Sequence, residues 1–286
     1  MVSGKSDKVF NAFIYTILLV VAVTAIFPLL YVVSMSLTPY SEVIKHGGFI
    51  IIPKKISFEA YERIFSDPAL GRSMLVTVFV TVIGTLINII LTTLAAYPLS
   101  RKNLPGRSFF LLFIIITMLF NGGLIPTYLI VQSLGMLNTV WSLIVPGAIA
   151  TFNVLILKSF LESLPEELFE SARIDGAKEF RVLWQIALPL SVPSMMTVGL
   201  FYMVGHWNSF FSAVLYITDT KLYPLQVIIR NMLLLTQSSE LQAEVTVPTA
   251  AMQMAAVIAG SLPIIAVYPF IQKHFTKGML LGAIKG

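Results

Sequence analysis

The chain has 286 residues, of which 57% are hydrophobic and only 12% charged, with a net charge of +5, a mean hydropathy of +0.86 and no cysteine. Soluble domains carry about 25% charged residues, so this composition excludes a soluble enzyme or binding module. It also excludes disulfide staples and thiolate metal sites, and the basic residues are scattered through short loops instead of forming the patch that nucleic acid requires.

Stretches free of Asp, Glu, Lys and Arg run over 9–40, 73–100, 108–157, 182–218 and 245–272. A helix needs about 20 apolar residues to cross a bilayer, and 108–157 is long enough for two crossings, broken between Gln132 and Thr139. The runs are continuous, unlike the short alternating segments of an outer-membrane barrel. The predicted fold is therefore an all-α membrane protein, a single transmembrane domain over 1–286 with six transmembrane helices at about 10–35, 74–99, 108–131, 140–160, 190–214 and 248–272. The first run follows Lys5 and Lys8, but it is too long for a signal-peptide core and lacks a small-x-small cleavage site. It reads as an uncleaved anchor.

The larger share of the 19 Lys and Arg residues falls on the side of both termini, among them Lys5, Lys8, Arg101, Arg107, Arg173 and Lys277. The positive-inside rule then predicts cytoplasmic termini. Two loops lie outside. Residues 36–72 carry Pro39, Gly47-Gly48, Pro53 and Pro68 as turn formers, with a short helix around Phe58 to Phe65. Residues 215–247 contain an apolar stretch, Leu225 to Leu235, before a polar end. Inside lie a short basic turn, 100–107, and a much larger loop, 162–189.

That inner loop is neither apolar enough for lipid nor long enough to fold alone, which suits a segment gripped by another protein. Pro165, Glu166 and Glu167 open a helix, since proline and acids are favourable in a first turn. Gly176 ends it, as a residue tolerating left-handed geometry should. Leu168, Ala172 and Phe169 are expected on one side of this amphipathic helix, and Phe180, Leu183, Trp184 and Ile186 half-buried at the lipid interface.

Glu170-Ser171-Ala172, three residues, Gly176, nine residues, then Ile186-Ala187-Leu188-Pro189 resembles the EAA loop of binding-protein-dependent ABC importer permeases, with Ser171 where that motif has alanine. Asn121-Gly122-Gly123, Ile125-Pro126-Thr127-Tyr128, Leu134 to Thr139, Trp207-Asn208-Ser209-Phe210-Phe211 and the tail Gly278 to Gly286 are similar to the carbohydrate-uptake branch, in particular to second permease subunits of maltose-type transporters. The resemblance implies a bacterial cytoplasmic (inner) membrane permease subunit of an ATP-driven sugar or oligosaccharide importer. Its partners would be two copies of an ABC ATPase, a second, homologous permease subunit and an extracytoplasmic solute-binding protein. It also implies that the loop is a cytoplasmic coupling helix docking the ATPase through Glu170, Ser171, Ala172, Asp175 and Gly176, and that Gly282 and Lys285 belong to a regulatory tail. The sequence holds no Gly-x4-Gly-Lys-Ser/Thr phosphate loop. ATP and Mg are accordingly expected in the partner ATPase, and this chain is expected to be no enzyme and to bind no cofactor or metal.

For the substrate pathway the candidates are Asn88, Asn153, Tyr202, Trp207, Asn208 and Gln253, with Asn121 and His206 nearby in kind. Polar side chains within spans face the bundle interior or a wet cavity. Amides, hydroxyls and aromatic faces suit sugars, though the same amides also serve as hydrogen bonds between helices. Amino acids, peptides or phosphate remain alternative cargoes. A secondary transporter is a weaker alternative, because the span cores lack the ionisable residues such carriers use.

Overall fold

A computed structural model describes residues 5–39, 42–43, 50–239 and 250–283, and among them every regular element is helical. Gly47-Gly48, the polar end of the second outer loop beyond Ser239, and Lys285 lie outside the described residues. Two compact units emerge, one drawn from Met1–Leu70 and Ile229–Leu262, the other from Gly71–Ile228 and Pro263–Gly286.

In the first unit, helix α1 (Lys5–Ser36) is apolar around its whole circumference. Its residues Val9 to Leu30 stay exposed, as suits lipid. Its end is built differently: Met35 is buried with Val43 and Ile50, the Ser34 hydroxyl donates to the Ile51 carbonyl, and Tyr61 OH donates to Ser36 Oγ at 2.8 Å. Tyr61 belongs to α2 (Glu59–Phe65), the short helix expected in this loop.

Helix α3 (Pro68–Ser100) starts with proline, and Asp67 Oδ1 accepts the Ala69 N–H at 2.8 Å, so both initiation devices coincide. The third expected span is not one helix. It forms α4 (Arg107–Leu119) and α5 (Leu124–Ser133), bent by 112°. The cause is Asn121-Gly122-Gly123: Asn121 Oδ1 accepts the Gly123 N–H at 2.8 Å, and Gly123 takes φ 89°, a conformation open to glycine.

The fourth expected span departs further. Over 140–160 the chain makes a 3-10 turn (Val140–Leu143), an irregular stretch through Pro146-Gly147, and only then α6 (Thr151–Glu162), too short to cross a bilayer. Proline disfavours helix in the residue before it and donates no hydrogen bond itself. Helices α7 (Glu166–Ile174) and α8 (Glu179–Val182) follow. Next comes a π-helical segment, Leu183–Ala187, running into α9 (Leu188–Trp207). Pro189 offers no N–H to the Gln185 carbonyl, and the helix widens there, Leu188 N–H donating to Leu183 O. The fifth span thus begins before 190 and ends at Trp207, and α10 (Phe211–Tyr216) is separate.

Helices α11 (Leu225–Ser239) and α12 (Ala250–Ala283) complete the chain. Among the described residues four helices are long and apolar enough to span a membrane, or five if the bent pair counts as one. Six were expected; the difference lies in the bend between α4 and α5 and in the interruption at 144–150.

Candidate functional site

The interruption lines a cavity of about 570 Å³ in the second unit. Its walls come from the 142–153 segment, from α9 and from the stretch that follows α9. Non-helical backbone inside a spanning region is tolerated only where its polar groups are met by protein or face a wet cavity. Here the partners can be named. Asn88, fully buried on α3, donates through Nδ2 to the Gly147 carbonyl at 2.8 Å. The Tyr202 hydroxyl on α9 accepts the Ala150 N–H at 2.9 Å and shares a hydrogen bond with Thr92 Oγ1 at 2.7 Å. Asn88 Oδ1 lies 3.1 Å from His206 Nε2. That ring occupies the space beside Gly84, where an added Cβ would sit 2.6 Å from Nε2.

Of the pathway candidates, Asn88, Asn153, Tyr202 and Asn208 are brought together on this cavity. Asn208 also donates to the Val204 carbonyl at 2.9 Å, capping α9. Trp207 is buried but off the cavity wall. Gln253 belongs to the other unit, where its amide donates to the Met232 carbonyl at 3.2 Å. Asn121 makes the α4–α5 bend. Sequence reasoning missed the aromatic share of the wall, Phe201, Phe210, Phe211 and Tyr216. It also missed Asn138 (φ 57°), whose Oδ1 accepts the N–H groups of Thr218 and Asp219 at 3.1 and 2.8 Å, pinning two loops together. An asparagine after a glycine turn was the available signal.

The 162–189 loop is anchored by an aromatic side chain. Phe169 on α7 is fully buried among Leu157, Leu161, Val182 and Leu183. The Arg101 guanidinium stacks on the Phe169 ring at 3.8 Å from its centroid, with the Tyr97 ring at 4.9 Å. Glu179 receives the Arg173 Nε–H at 2.8 Å on one oxygen and the Tyr97 hydroxyl at 2.8 Å on the other. The hydrogen bond from Arg173 to Glu179 holds the guanidinium above its ordinary pKa. Glu166 lies 3.7 Å from Arg101 and 3.6 Å from Arg173. Beside this cluster Glu162 pairs with Arg107, and with Lys158 at 2.8 Å.

At the end of α7 the Ala177 N–H donates to the Ala172 carbonyl at 2.9 Å, and Gly176 takes φ 82°, so the glycine stop is present. Glu170, Ser171, Asp175 and Gly176 are exposed. Ala172 is not: it packs inward against the Phe169 cluster. The expected grouping of Leu168 with Phe169 and Ala172 is corrected, because Leu168 faces outward; beside it Ile174 is 86% exposed. In the following segment Leu183 is buried while Phe180 and Trp184 point away from the protein. Gly282 lies within the backbone of α12.

A family model for the "binding-protein-dependent transport system inner membrane component" matches residues 106–281. Protein LplC of Bacillus subtilis (strain 168) is 44% identical over 290 residues, covering 100% of this chain and 98% of that protein. The polygalacturonan/rhamnogalacturonan transport system permease protein YtcP of the same organism is 42% identical, covering 98% of this chain and 99% of its own length. A crystal structure of a bacterial ABC transporter involved in import of the acidic polysaccharide alginate contains a chain that superposes with a TM-score of 0.87 at 29% identity, covering 95% of this chain and 98% of that one. Helical spans, an interrupted segment around a polar cavity and a short amphipathic helix ending at Gly176 thus come with agreement along the whole length, and the chain belongs to the family of inner membrane components of binding-protein-dependent transport systems.

Proposed function

We propose that this chain is the permease subunit of an ATP-driven oligosaccharide importer and forms half of the translocation pathway. The observation that carries the sugar assignment is the cavity, walled by amides (Asn88, Asn153, Asn208), hydroxyls (Ser142, Tyr202) and aromatic faces such as Phe201. Aromatic faces take sugar C–H surfaces and neutral donors and acceptors take hydroxyls, releasing the substrate without breaking an ion pair. The alginate and polygalacturonan/rhamnogalacturonan transporters similar to this chain support the same class.

The exposed face of α7 supports docking of a separate ATPase. Glu170, Ser171 and Asp175 offer charge and small size around the protruding Ile174, while Phe169 holds the helix to the spans. The helix is thus presented as a rigid knob. On this reading the 162–189 loop and both termini are cytoplasmic, and six crossings are reached because 107–133 and 140–162 each cross once through their interruptions. Two ATPase copies consuming ATP and Mg, a second permease subunit and an external binding protein complete the importer, and the tail around Lys285 contacts the ATPases.

The test is uptake into proteoliposomes holding the purified complex, binding protein and ATP, with labelled oligogalacturonides, malto-oligosaccharides, a dipeptide and phosphate offered in parallel. ATP-dependent accumulation of one oligosaccharide, reduced at least tenfold by Asn153→Ala, is expected. Accumulation of the dipeptide or phosphate alone would refute the sugar assignment. Loss of the co-purifying ATPase in a Glu170→Ala/Gly176→Asp variant is expected from the docking face, and full retention would refute it.

A further inference from the structure

Helix α7 has nine residues, too few to hold its shape alone. Its fastening to α3 is lopsided in a useful way. Glu166 at its start faces Arg101, Phe169 in its middle stacks under Arg101, and Arg173 at its end shares Glu179 with Tyr97. Tyr97 lies in the last turn of α3, and Arg101 is the residue that follows its last, Ser100. Start, middle and end of α7 are therefore tied to the C-terminal end of one long helix and the residue that leaves it. Further along that helix, Thr92 holds Tyr202, and Asn88 holds the Gly147 carbonyl of the interrupted cavity wall.

We propose that Arg101 and Glu179 are positioning residues that make α7 and α3 move as one body, so that displacement of α7 is delivered through Asn88 and Thr92 to the cavity wall at 147–150. The Arg101 guanidinium fits this role because its central carbon sits 3.8 Å over the Phe169 ring, and a broad, rigid guanidinium there resists sliding where a flexible ammonium would not. Glu179 fits because its two oxygens hold different partners, one on α7 and one on α3. The inference rests on α7 being the docking helix proposed above.

The chain has no cysteine, so a single Ser209→Cys on the cavity wall is a unique probe. The intact complex in proteoliposomes is treated with a maleimide, with and without ATP, and modification of this chain is read by mass. Co-purified ATPase and ATP hydrolysis are measured alongside. In the Ser209→Cys background ATP is expected to change the labelling rate at least threefold. Glu179→Ala and Arg101→Lys, each added to that background, are expected to keep the ATPase bound and hydrolysing while the change in labelling disappears. Tyr97→Phe deletes one oxygen, keeps the ring under Arg101 and serves if the stronger variants fail to accumulate; it is expected to reduce the change at least twofold. A labelling change of full size in all variants that accumulate overturns the proposal, as does a background with bound, active ATPase in which ATP never alters labelling. A background that retains no ATPase overturns the docking reading instead, and this inference falls with it.

Discussion

The cavity wall at 144–150 and the 162–189 loop are both places where a helix is interrupted, and they are mended with different chemistry. At the cavity the backbone is met by neutral groups: Asn88 bonds Gly147, and Tyr202 bonds Ala150 and Thr92. At the loop they are charged: Arg101, Glu166, Arg173 and Glu179, set beside an apolar cluster in which Phe169 is buried with Val182, Leu183 and Ala187. Removing a charge from water is expensive even when it is paired, whereas a neutral amide needs only its hydrogen bonds. Interior backbone is therefore held by amides and hydroxyls, and at the loop the charge is borne by Glu166, Arg173 and Glu179, which are 34–58% exposed, while the nearly buried Arg101 lies over the Phe169 ring. Most of the loop's stability must then come from Phe169 and the apolar residues buried with it, since half-exposed ion pairs contribute little and mainly set geometry.

This contrast can be tested by measuring thermal unfolding of the purified protein across a set of substitutions. Phe169→Ala should cost the most, about 3–5 kcal/mol, by emptying a fully buried site; a cost below that of removing Glu179 would reverse the assignment of anchor and guide. Asn88→Ala comes next, at about 1–3 kcal/mol, because it strands the Gly147 carbonyl. Replacing Asn88 by aspartate should be worse than alanine, and equal cost would break the claim that this wall excludes charge. Gly176→Ala is expected to lose about 1–2 kcal/mol from left-handed strain alone, because no atom lies within 4 Å of the added Cβ. Gly176→Asn should recover part of it, which a steric cause would not allow. Arg63→Ala is the smallest: its partner Glu59 lies one turn away on an exposed helix, and about 0.3–0.5 kcal/mol is expected. A larger loss there would show that surface pairs in this protein are stronger than the comparison assumes.

The motif in the loop was legible because short-range rules govern it. Pro165 starts α7, Gly176 ends it and the acids sit in the first turn, all within a few residues of sequence. The docking candidates Glu170, Ser171 and Asp175 came from the resemblance of this loop to the EAA motif, and all three side chains are exposed. The inward turn of Ala172 did not, because helix phase alone leaves open which neighbour covers which face. At the cavity, four of the pathway candidates were recognisable as polar residues inside apolar runs, but the aromatic wall was not: Phe201 and Phe211 look like any other apolar residue in a span. Asn121 was readable as polar yet proved to bend the chain, because a side chain that caps its own backbone gives no periodic signal.

Composition and charge gaps by themselves determined that this chain is a helical membrane protein, where its long apolar helices run and which loop carries the motif, because the cost of burying charge in hydrocarbon acts residue by residue. Only the tertiary structure decided that the fourth run is broken at Pro146-Gly147 and that Arg101 lies on Phe169. Those outcomes depend on partners 59 and 68 positions away, Asn88 for Gly147 and Phe169 for Arg101. A lone sequence window cannot weigh a broken helix against a hydrogen bond offered from so far along the chain.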